Sequence, residues 1–306
     1  MNRDKPSVAV VGSINTDIVI EVARMPEPGE TIAGRAAAFY SGGKGANQAV
    51  AAARLGADVR LFGKVGGDPL GGRLLDGLRE SGVDVGAVEI EADTPSGLAS
   101  IWVDRRGDNA IVVAAGANGL VDTEYVGRHL DRIAAADVLL LQLEIPIATV
   151  AHLLHALPAA GPIVILDPAP AHDLASLPLT RVDVLTPNEH ELRIVSGSDT
   201  IEAGAQHLID LGAKNVICTL GADGAVWIPS SGPIMRLPAP NVDVVDTTAA
   251  GDAFAGALAS ALPGLPLAAA IPLAIAAGAL ATTVRGAQPS LPNAADLDAF
   301  LAPRLR

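Results

Sequence analysis

The sequence predicts an α/β fold: a three-layer α/β/α sandwich on a mostly parallel sheet, with a small second β-sheet as a lid. Two observations predict the sandwich. Short, nearly continuous apolar runs recur along the chain, and stretches of helical character separate them. Strands that are apolar on both sides need helices over both faces, and parallel pairing needs crossovers of that length. A third observation predicts the lid. Residues 17–40 and 95–115 alternate apolar and polar side chains, as in Leu98-Ala99-Ser100-Ile101-Trp102-Val103-Asp104, which is the pattern of a half-buried sheet.

In chain order, the strands are expected at Val8–Val11, Val59–Val65, Val138–Leu143, Ile163–Leu166, Val182–Leu185 and Val216–Leu220. Helices are expected over 44–56, 68–81, 123–136, 147–157, 188–196, 201–211, 252–262 and 267–283. A hairpin is expected around Arg105-Arg106-Gly107-Asp108. The Ala-rich stretch 265–284 is interrupted by Pro272 and ends at Arg285, so it reads as a buried helix and not a membrane span. No repeat, low-complexity run or long linker divides the chain, so residues 1–306 are expected to form a single domain.

Composition narrows the function. The formal net charge of −13 argues against nucleic acid or an anionic membrane as partner. Hydrophobic residues make up 50% and aromatics 3%, so Ala, Val, Leu and Gly carry the packing. The lone cysteine, Cys218, sits in the apolar run Val216-Ile217-Cys218 and reads as a buried structural thiol. It excludes an internal disulfide and fits a reducing cytoplasm. The start, Met-Asn-Arg-Asp-Lys, has no signal-peptide pattern. The six histidines have no metal-ligand spacing.

The most informative stretch is Asp246-Thr247-Thr248-Ala249-Ala250-Gly251-Asp252. It places Asp252 after a turn of small residues at the start of a helix. The backbone amides of Ala249, Ala250 and Gly251 can close on an anion there, and the helix N-terminus adds about half a positive charge. An anion cradle beside a carboxylate suits phosphoryl transfer to an alcohol; an ordinary N-cap with a packing glycine would look the same. Ser41-Gly42-Gly43-Lys44-Gly45-Ala46-Asn47 is a second glycine-rich turn before a helix, without the Walker spacing. Its glycines allow close approach of a ligand, and Asn47 has donor and acceptor atoms to read a polyol. Gly12 ends a strand without completing the dinucleotide fingerprint. Asn15 and Asp17 follow, where open α/β sheets bind ligands or where a turn simply uses Asn and Asp. Glu144 ends a strand as a ligand contact or helix-entry residue. Glu189 and Glu191 either favour a helix N-terminus or hold hydrated Mg²⁺.

Together these segments resemble the PfkB carbohydrate kinase family across almost the whole chain. Gly42-Gly43-Lys44-Gly45-Ala46-Asn47-Gln48-Ala49 and residues 246–252 match its two signature regions. Pro28-Gly29-Glu30-Thr31, Gln142-Leu143-Glu144, Asp167-Pro168-Ala169-Pro170 and Thr186-Pro187-Asn188-Glu189 look like its ribose-phosphorylating branch. The resemblance implies a ribokinase-like sandwich and ATP-dependent phosphorylation of D-ribose at the 5-hydroxyl. It makes Asp252 the base, with Ala249, Ala250 and Gly251 completing an anion hole. Asn15, Thr16, Asp17, Gly42, Gly43, Lys44, Asn47 and Glu144 would surround the sugar, with Ala99 and Ile101 against it from the lid. Asn188 would reach the phosphates, Glu191 would act on Mg²⁺ through water, and Thr219, Leu220, Gly221, Ala222, Asp223 and Gly224 would line the nucleotide. A K⁺ site maps to Asp246, Thr248, Ala281, Val284, Gly286 and Ser290. The adenine-side position falls near Ile275, where the family often has His or Asn.

A loose phosphoryl-transfer transition state needs positioning and charge stabilisation, which these groups supply. A free Asp, with a pKa near 3.9, can orient an alcohol and take its proton as the O–P bond forms. The lid would exclude water, and its apolar outer face gives a reason to form a homodimer. Alternatives are a kinase for deoxyribose, another sugar or a nucleoside, or a non-catalytic sugar-binding regulator on the same scaffold. Scarce aromatics weigh against a nucleoside base, and a pure binder needs no Asp252. A dinucleotide oxidoreductase is disfavoured by the failed glycine fingerprint.

Overall fold

The computed structural model describes residues 5–106 and 108–302. The expectations for Met1–Asp4 and for Gly107 at the hairpin tip therefore lie outside the described residues. The strands are β1 (Ser7–Val11), β2 (Asn15–Glu21), β3 (Ala36–Gly42), β4 (Asp58–Phe62), β5 (Lys64–Gly66), β6 (Glu89–Glu91), β7 (Gly97–Val103), β8 (Asn109–Ala114), β9 (Val138–Leu141), β10 (Ile163–Leu166), β11 (Val184–Leu185), β12 (Asn215–Thr219), β13 (Ala225–Pro229) and β14 (Met235–Leu237). The helices are α1 (Lys44–Arg54), α2 (Pro69–Glu80), α3 (Thr123–Ala134), α4 (Ile147–Ala156), α5 (Glu189–Ser196), α6 (Ile201–Asp210), α7 (Ala250–Ala261), α8 (Leu267–Ala281), α9 (Ala287–Ser290) and α10 (Ala294–Leu301).

Eight strands form the central sheet in the order β14-β13-β12-β11-β10-β9-β1-β4. The pairs from β12 to β4 are parallel, whereas β13 and β14 add antiparallel at one edge. Successive residues of each strand bury opposite faces. Val8 and Val10 of β1 join Leu140, Ile165 and Ile217 under α1, α2, α7, α8 and α10. Ala9 and Val11 join Leu139, Leu141 and Val216 under α3, α4, α5 and α6. Two cores on one sheet make the three layers. The lid is a four-stranded sheet, β3-β2-β7-β8, in which β2 pairs with β3 antiparallel and with β7 parallel. Its β7–β8 hairpin closes with Val103 opposite Asn109.

Several bounds differ from the sequence reading. The expected strand Val59–Val65 breaks at Gly63, whose amide donates to the Tyr125 hydroxyl at 2.7 Å. Residues beyond it form β5, which pairs with β6 in a separate two-stranded sheet. A 3₁₀ turn over Leu179–Arg181 shortens the strand expected at 182–185 to two residues. Helix α7 starts at Ala250, making Asp252 its third residue. Helix α8 tolerates Pro272 and stops at Ala281. The strands β13 and β14 and the helices α9 and α10 were not anticipated; α9 spans only four residues, too few for a periodic signal. Cys218 is a buried free thiol, and burial pushes its pKa up to about 12.

Candidate active site

The site begins where glycines let the chain approach itself. Gly43 has φ 88, and a Cβ there would stand 2.7 Å from the Asn15 amide nitrogen. At Gly45 a Cβ would lie 2.6 Å from Gly12 carbonyl carbon and the Ser13 nitrogen. These two glycines therefore seat the start of α1 against the turn after β1, a different use from the ligand approach expected of them. A Cβ at Gly42 would run into the Asp17 carboxylate.

Helix α7 starts with its N-cap, Ala249, at φ 61 and ψ 11, the one non-glycine residue with positive φ among the described residues. The Ala250 amide donates to the Thr247 carbonyl at 3.3 Å, and the first helical bond runs from Ala253 to Ala249 at 2.8 Å. The amides of Gly251 and Asp252 thus have no carbonyl one turn back to receive them. No other part of the chain would crowd a Cβ at Gly251. Open space over free helix-start amides suits an anion. The buried Asp252 carboxylate accepts from Asn47 Nδ2 at 2.9 Å on one oxygen and from Gln48 Nε2 at 3.1 Å on the other.

Lys44 opens α1 and turns its ammonium inward. Its Nζ lies 3.1 Å from Asp167 and 3.9 Å from Asp252. Burial alone would lower its pKa, but Asp167, Asp252, Glu191 and Glu144 outweigh this and raise it, so the ammonium stays charged. Burial pushes Asp167 up to about 7, against the pull of Lys44.

Among the residues expected to surround a sugar, Glu144 Oε2 collects the Ser13 hydroxyl, the Lys44 amide at 3.0 Å and Asn15 Nδ2 at 3.5 Å. Asn15 Oδ1 accepts from buried Asn118 at 2.6 Å, which turns the Asn15 amide group towards Glu144. Asn47 Oδ1 is buried without a partner, an acceptor left for a ligand. Asp17 is buried at the start of β2. Its pKa is raised to about 7 by burial first, then by the charges of Glu144 and Asp252. A cavity of about 600 Å³ runs under the lid from Asp17, Ile101 and Ile111 to Asp246, Thr248 and Gly286. Thr16 pairs with Ser41 in the lid, and buried Ala99 lies beside Asp17 in register.

The residues expected to line a nucleotide gather at the ends of β11 and β12, where Asn188 bridges Thr219. Asn188 and Glu191 cap α5 reciprocally: each side chain accepts the other's amide at 2.8 Å. The helix-entry role is therefore occupied, while Asn188 Nδ2 and the second Glu191 oxygen remain for a ligand. Leu220 to Gly224 close a tight turn, with the Leu220 amide on the Gly224 carbonyl at 2.8 Å. Ile275 is buried in the core over the sheet. Asp246 ties the proposed cation segments together, accepting from Thr248 at 2.9 and 2.6 Å and from the Gly286 amide at 2.9 Å. The Ala281 carbonyl accepts the Val284 amide at 3.3 Å, and the Ser290 hydroxyl donates to Ala287 at 2.7 Å. Among the described residues no group of three or more His, Cys, Asp or Glu could hold a metal. The Glu191 oxygen that the cap leaves free could reach a magnesium ion carried by phosphates and water.

The structure thus brings Asn15, Asp17, Lys44, Asn47, Glu144 and Asp252 into one cluster. It adds Gln48, Gln142, Asn118 and Asp167, to which the sequence reading gave no role. Gln48 was detectable in principle, since it lies one helical turn from Lys44 and beside Asn47.

The comparisons agree in direction. A family model described as pfkB family carbohydrate kinase matches residues 5–294. A ribokinase of Schizosaccharomyces pombe is 38% identical, with 95% of this chain and 96% of the relative covered. A deoxyribokinase of Salmonella typhi is 35% identical, covering 96% and 98%. The structure of Arabidopsis thaliana ribokinase complexed with ribose and ATP has a TM-score of 0.89 at 33% identity, covering 97% of this chain and 99% of that one. Among the described residues no helix is long and apolar enough to cross a membrane.

Proposed function

This chain belongs to the pfkB family of carbohydrate kinases, and we propose that it is the cytoplasmic enzyme that transfers the terminal phosphoryl group of ATP to the 5-hydroxyl of D-ribose. One observation carries the reading: the Asp252 carboxylate, held through both oxygens, adjoins helix-start amides that face open space. The Asp252 carboxylate orients the sugar hydroxyl and takes its proton as the O–P bond forms, and the free amides of Gly251 and Asp252 receive the charge on the phosphoryl. Asp17, Asn47 Oδ1 and the free oxygen of Glu144 accept from sugar hydroxyls, while Asn15 Nδ2 donates. The lid's Ile101 and Ala99 cover the ring and exclude water. Asn188 Nδ2 contacts the phosphates, and the turn Thr219–Gly224 lies along the nucleotide. Glu191 would act through water on a magnesium ion bound with ATP, which would supply screening of phosphate charge. A potassium ion held by Asp246, Thr248, Ala281, Val284, Gly286 and Ser290, mostly through backbone carbonyls, would fix the shape of the loop behind the anion hole. The lid's outer face leaves Phe39 and Val112 exposed, and a second copy of the chain covers them in a homodimer.

The test is ADP release with ATP and Mg²⁺ across ribose, deoxyribose, fructose and adenosine, with and without K⁺, in the natural chain and in Asp252→Asn. Ribose-dependent turnover lost in Asp252→Asn and raised by K⁺ is the expected result. Faster turnover on deoxyribose keeps the chemistry and moves the substrate. Ribose binding without turnover on any substrate overturns the kinase reading in favour of a sugar-binding regulator.

A further inference from the structure

Behind the catalytic carboxylate lies a chain of buried amides that the reaction as described does not use. Gln48 is 0% exposed, in the middle of the site-facing side of α1. Its two Nε2 protons go to two different carboxylates: Asp252 Oδ1 at 3.1 Å and Asp167 Oδ2 at 2.9 Å. Its Oε1 accepts from Gln142 Nε2 at 2.6 Å, from the turn after β9. Gln142 in turn is wedged against Gly12, where a Cβ would stand 2.0 Å from its Oε1. That Oε1 is buried without a partner, an expense that needs a reason.

The chemistry fixes the orientation of the whole chain. A carboxylate offers only acceptors, so the NH₂ end of Gln48 must face Asp167 and Asp252, and its oxygen must face Gln142. Gln142 then has to present its NH₂ to Gln48, which leaves its own oxygen stranded. The unsatisfied atom lies at the far end from Asp252, whose two oxygens are both served.

We propose that Gln48, oriented by Gln142, is a positioning residue for phosphoryl transfer: it sets the rotation of the Asp252 carboxylate so that one lone pair remains directed at the sugar hydroxyl. Asn47 holds the other oxygen and is also placed to touch the sugar, whereas Gln48 reaches the reaction only through Asp252. The inference rests on Asp252 acting as the base. Charged groups that bear on this carboxylate are Lys44 from the start of α1, Asp17 from β2, and Asp167 from the turn after β10; Glu144 and Glu191 act on the same cluster.

The test uses Gln48→Met, which keeps length and removes both donors, in the natural chain and in the Asp252→Asn background. Ribose binding is read by calorimetry and the chemical step by single turnover. In the natural chain kcat is expected to fall about tenfold to a hundredfold, the loss typical of one hydrogen bond to a charged group. The ribose Kd should change by less than about threefold, because Gln48 is not placed on the sugar. In the Asp252→Asn background the same substitution should cost less than about twofold, because the group it positions is gone. An unchanged kcat overturns the inference, as does an equal loss in both backgrounds or a loss confined to ribose affinity. If Gln48→Met does not fold, Gln142→Met decides on the same readings. It leaves Gln48 in place but frees its orientation, and a natural kcat there overturns the inference. A separate outcome, full activity in Asp252→Asn alone, sinks the assignment of the base and the inference with it, whereas activity lost in Asp252→Asn but unchanged in Gln48→Met sinks the inference alone.

Discussion

Ribose affinity should depend on pH through Asp17, and the structure sets the magnitude. The Asp17 carboxyl is buried beside Glu144 and Asp252, which together with burial raise its pKa from 3.8 to about 7. An ionised carboxylate accepts from sugar hydroxyls, whereas the neutral form offers one acceptor fewer and a competing donor. Binding therefore selects the ionised form. With a pKa of about 7, roughly one tenth of the unliganded site is ready at pH 6 and nearly all of it at pH 8.5. The ribose Kd should accordingly be about tenfold weaker at pH 6 than at pH 8.5, and binding at pH 7 should release about half a proton. Calorimetry in buffers of different ionisation enthalpy measures both. Asp17→Asn should flatten the profile and weaken binding about tenfold to a hundredfold at high pH, the worth of a charge-assisted hydrogen bond. The same proton affects stability with the opposite sense. The folded chain holds it more tightly than the unfolded chain, so this group's stabilisation of the unliganded protein declines as pH rises from about 4 to about 7 and is level above. A flat ribose affinity between pH 5.5 and 8.5, with no proton released, refutes the reasoning.

Three further outcomes follow from single contacts. In Asn118→Asp the donor to Asn15 Oδ1 is lost, so the Asn15 amide should rotate and ribose affinity should fall about tenfold, read by calorimetry; natural affinity would count against the orientation of Asn15. In Ala249→Gly the left-handed backbone at φ 61 is relieved, so urea unfolding should show a gain of roughly 0.5–1 kcal/mol after the extra chain entropy of glycine, and a loss would argue against strain there. Val112 is 69% exposed on the lid's edge strand, so Val112→Lys should shift the protein from dimer to monomer in sedimentation; a natural chain that is already monomeric at micromolar concentration removes the reason for the homodimer.

What was legible in the sequence followed from periodicity and from small residues. The buried strands of the parallel sheet announce themselves because both faces are apolar, and the lid because its strands alternate. Asp252 and Asn47 stood out beside their glycine turns. The antiparallel strands β13 and β14 did not, and β14 at the sheet edge has only three residues, too few positions for a period to show. The carboxylate partners were equally hidden. Asp167 lies after β10 and Gln48 in α1, 119 residues apart in sequence, and only the parallel order of β9 and β10 beside β1 brings them to 2.9 Å. Asn188 and Glu191 show the converse. Their spacing reads equally as a capping box and as phosphate and magnesium contacts, and the geometry fills the cap while leaving one polar group on each.

The site's charge balance explains why these pieces occur together. Asp167, Asp252, Glu191 and Glu144 crowd around Lys44, and Asp17 lies next to Glu144 and Asp252, in a chain whose formal charge is already −13. A nucleotide triphosphate approaching such a cluster meets repulsion unless positive potential is concentrated at one point. The start of α7 provides that point, and Lys44 lies at its edge, 3.9 Å from Asp252. Raising Asp17 and Asp167 to about 7 keeps part of the surrounding charge neutral before substrate arrives. In the proposed reaction the hydroxyl proton moves to Asp252, and that carboxylate would lose its charge as the sugar oxygen takes up the phosphoryl group. Negative charge is relocated within the cluster and does not accumulate there. A lysine fixed between Asp167 and Asp252 can therefore serve both the resting carboxylates and the transferring phosphoryl without leaving its place.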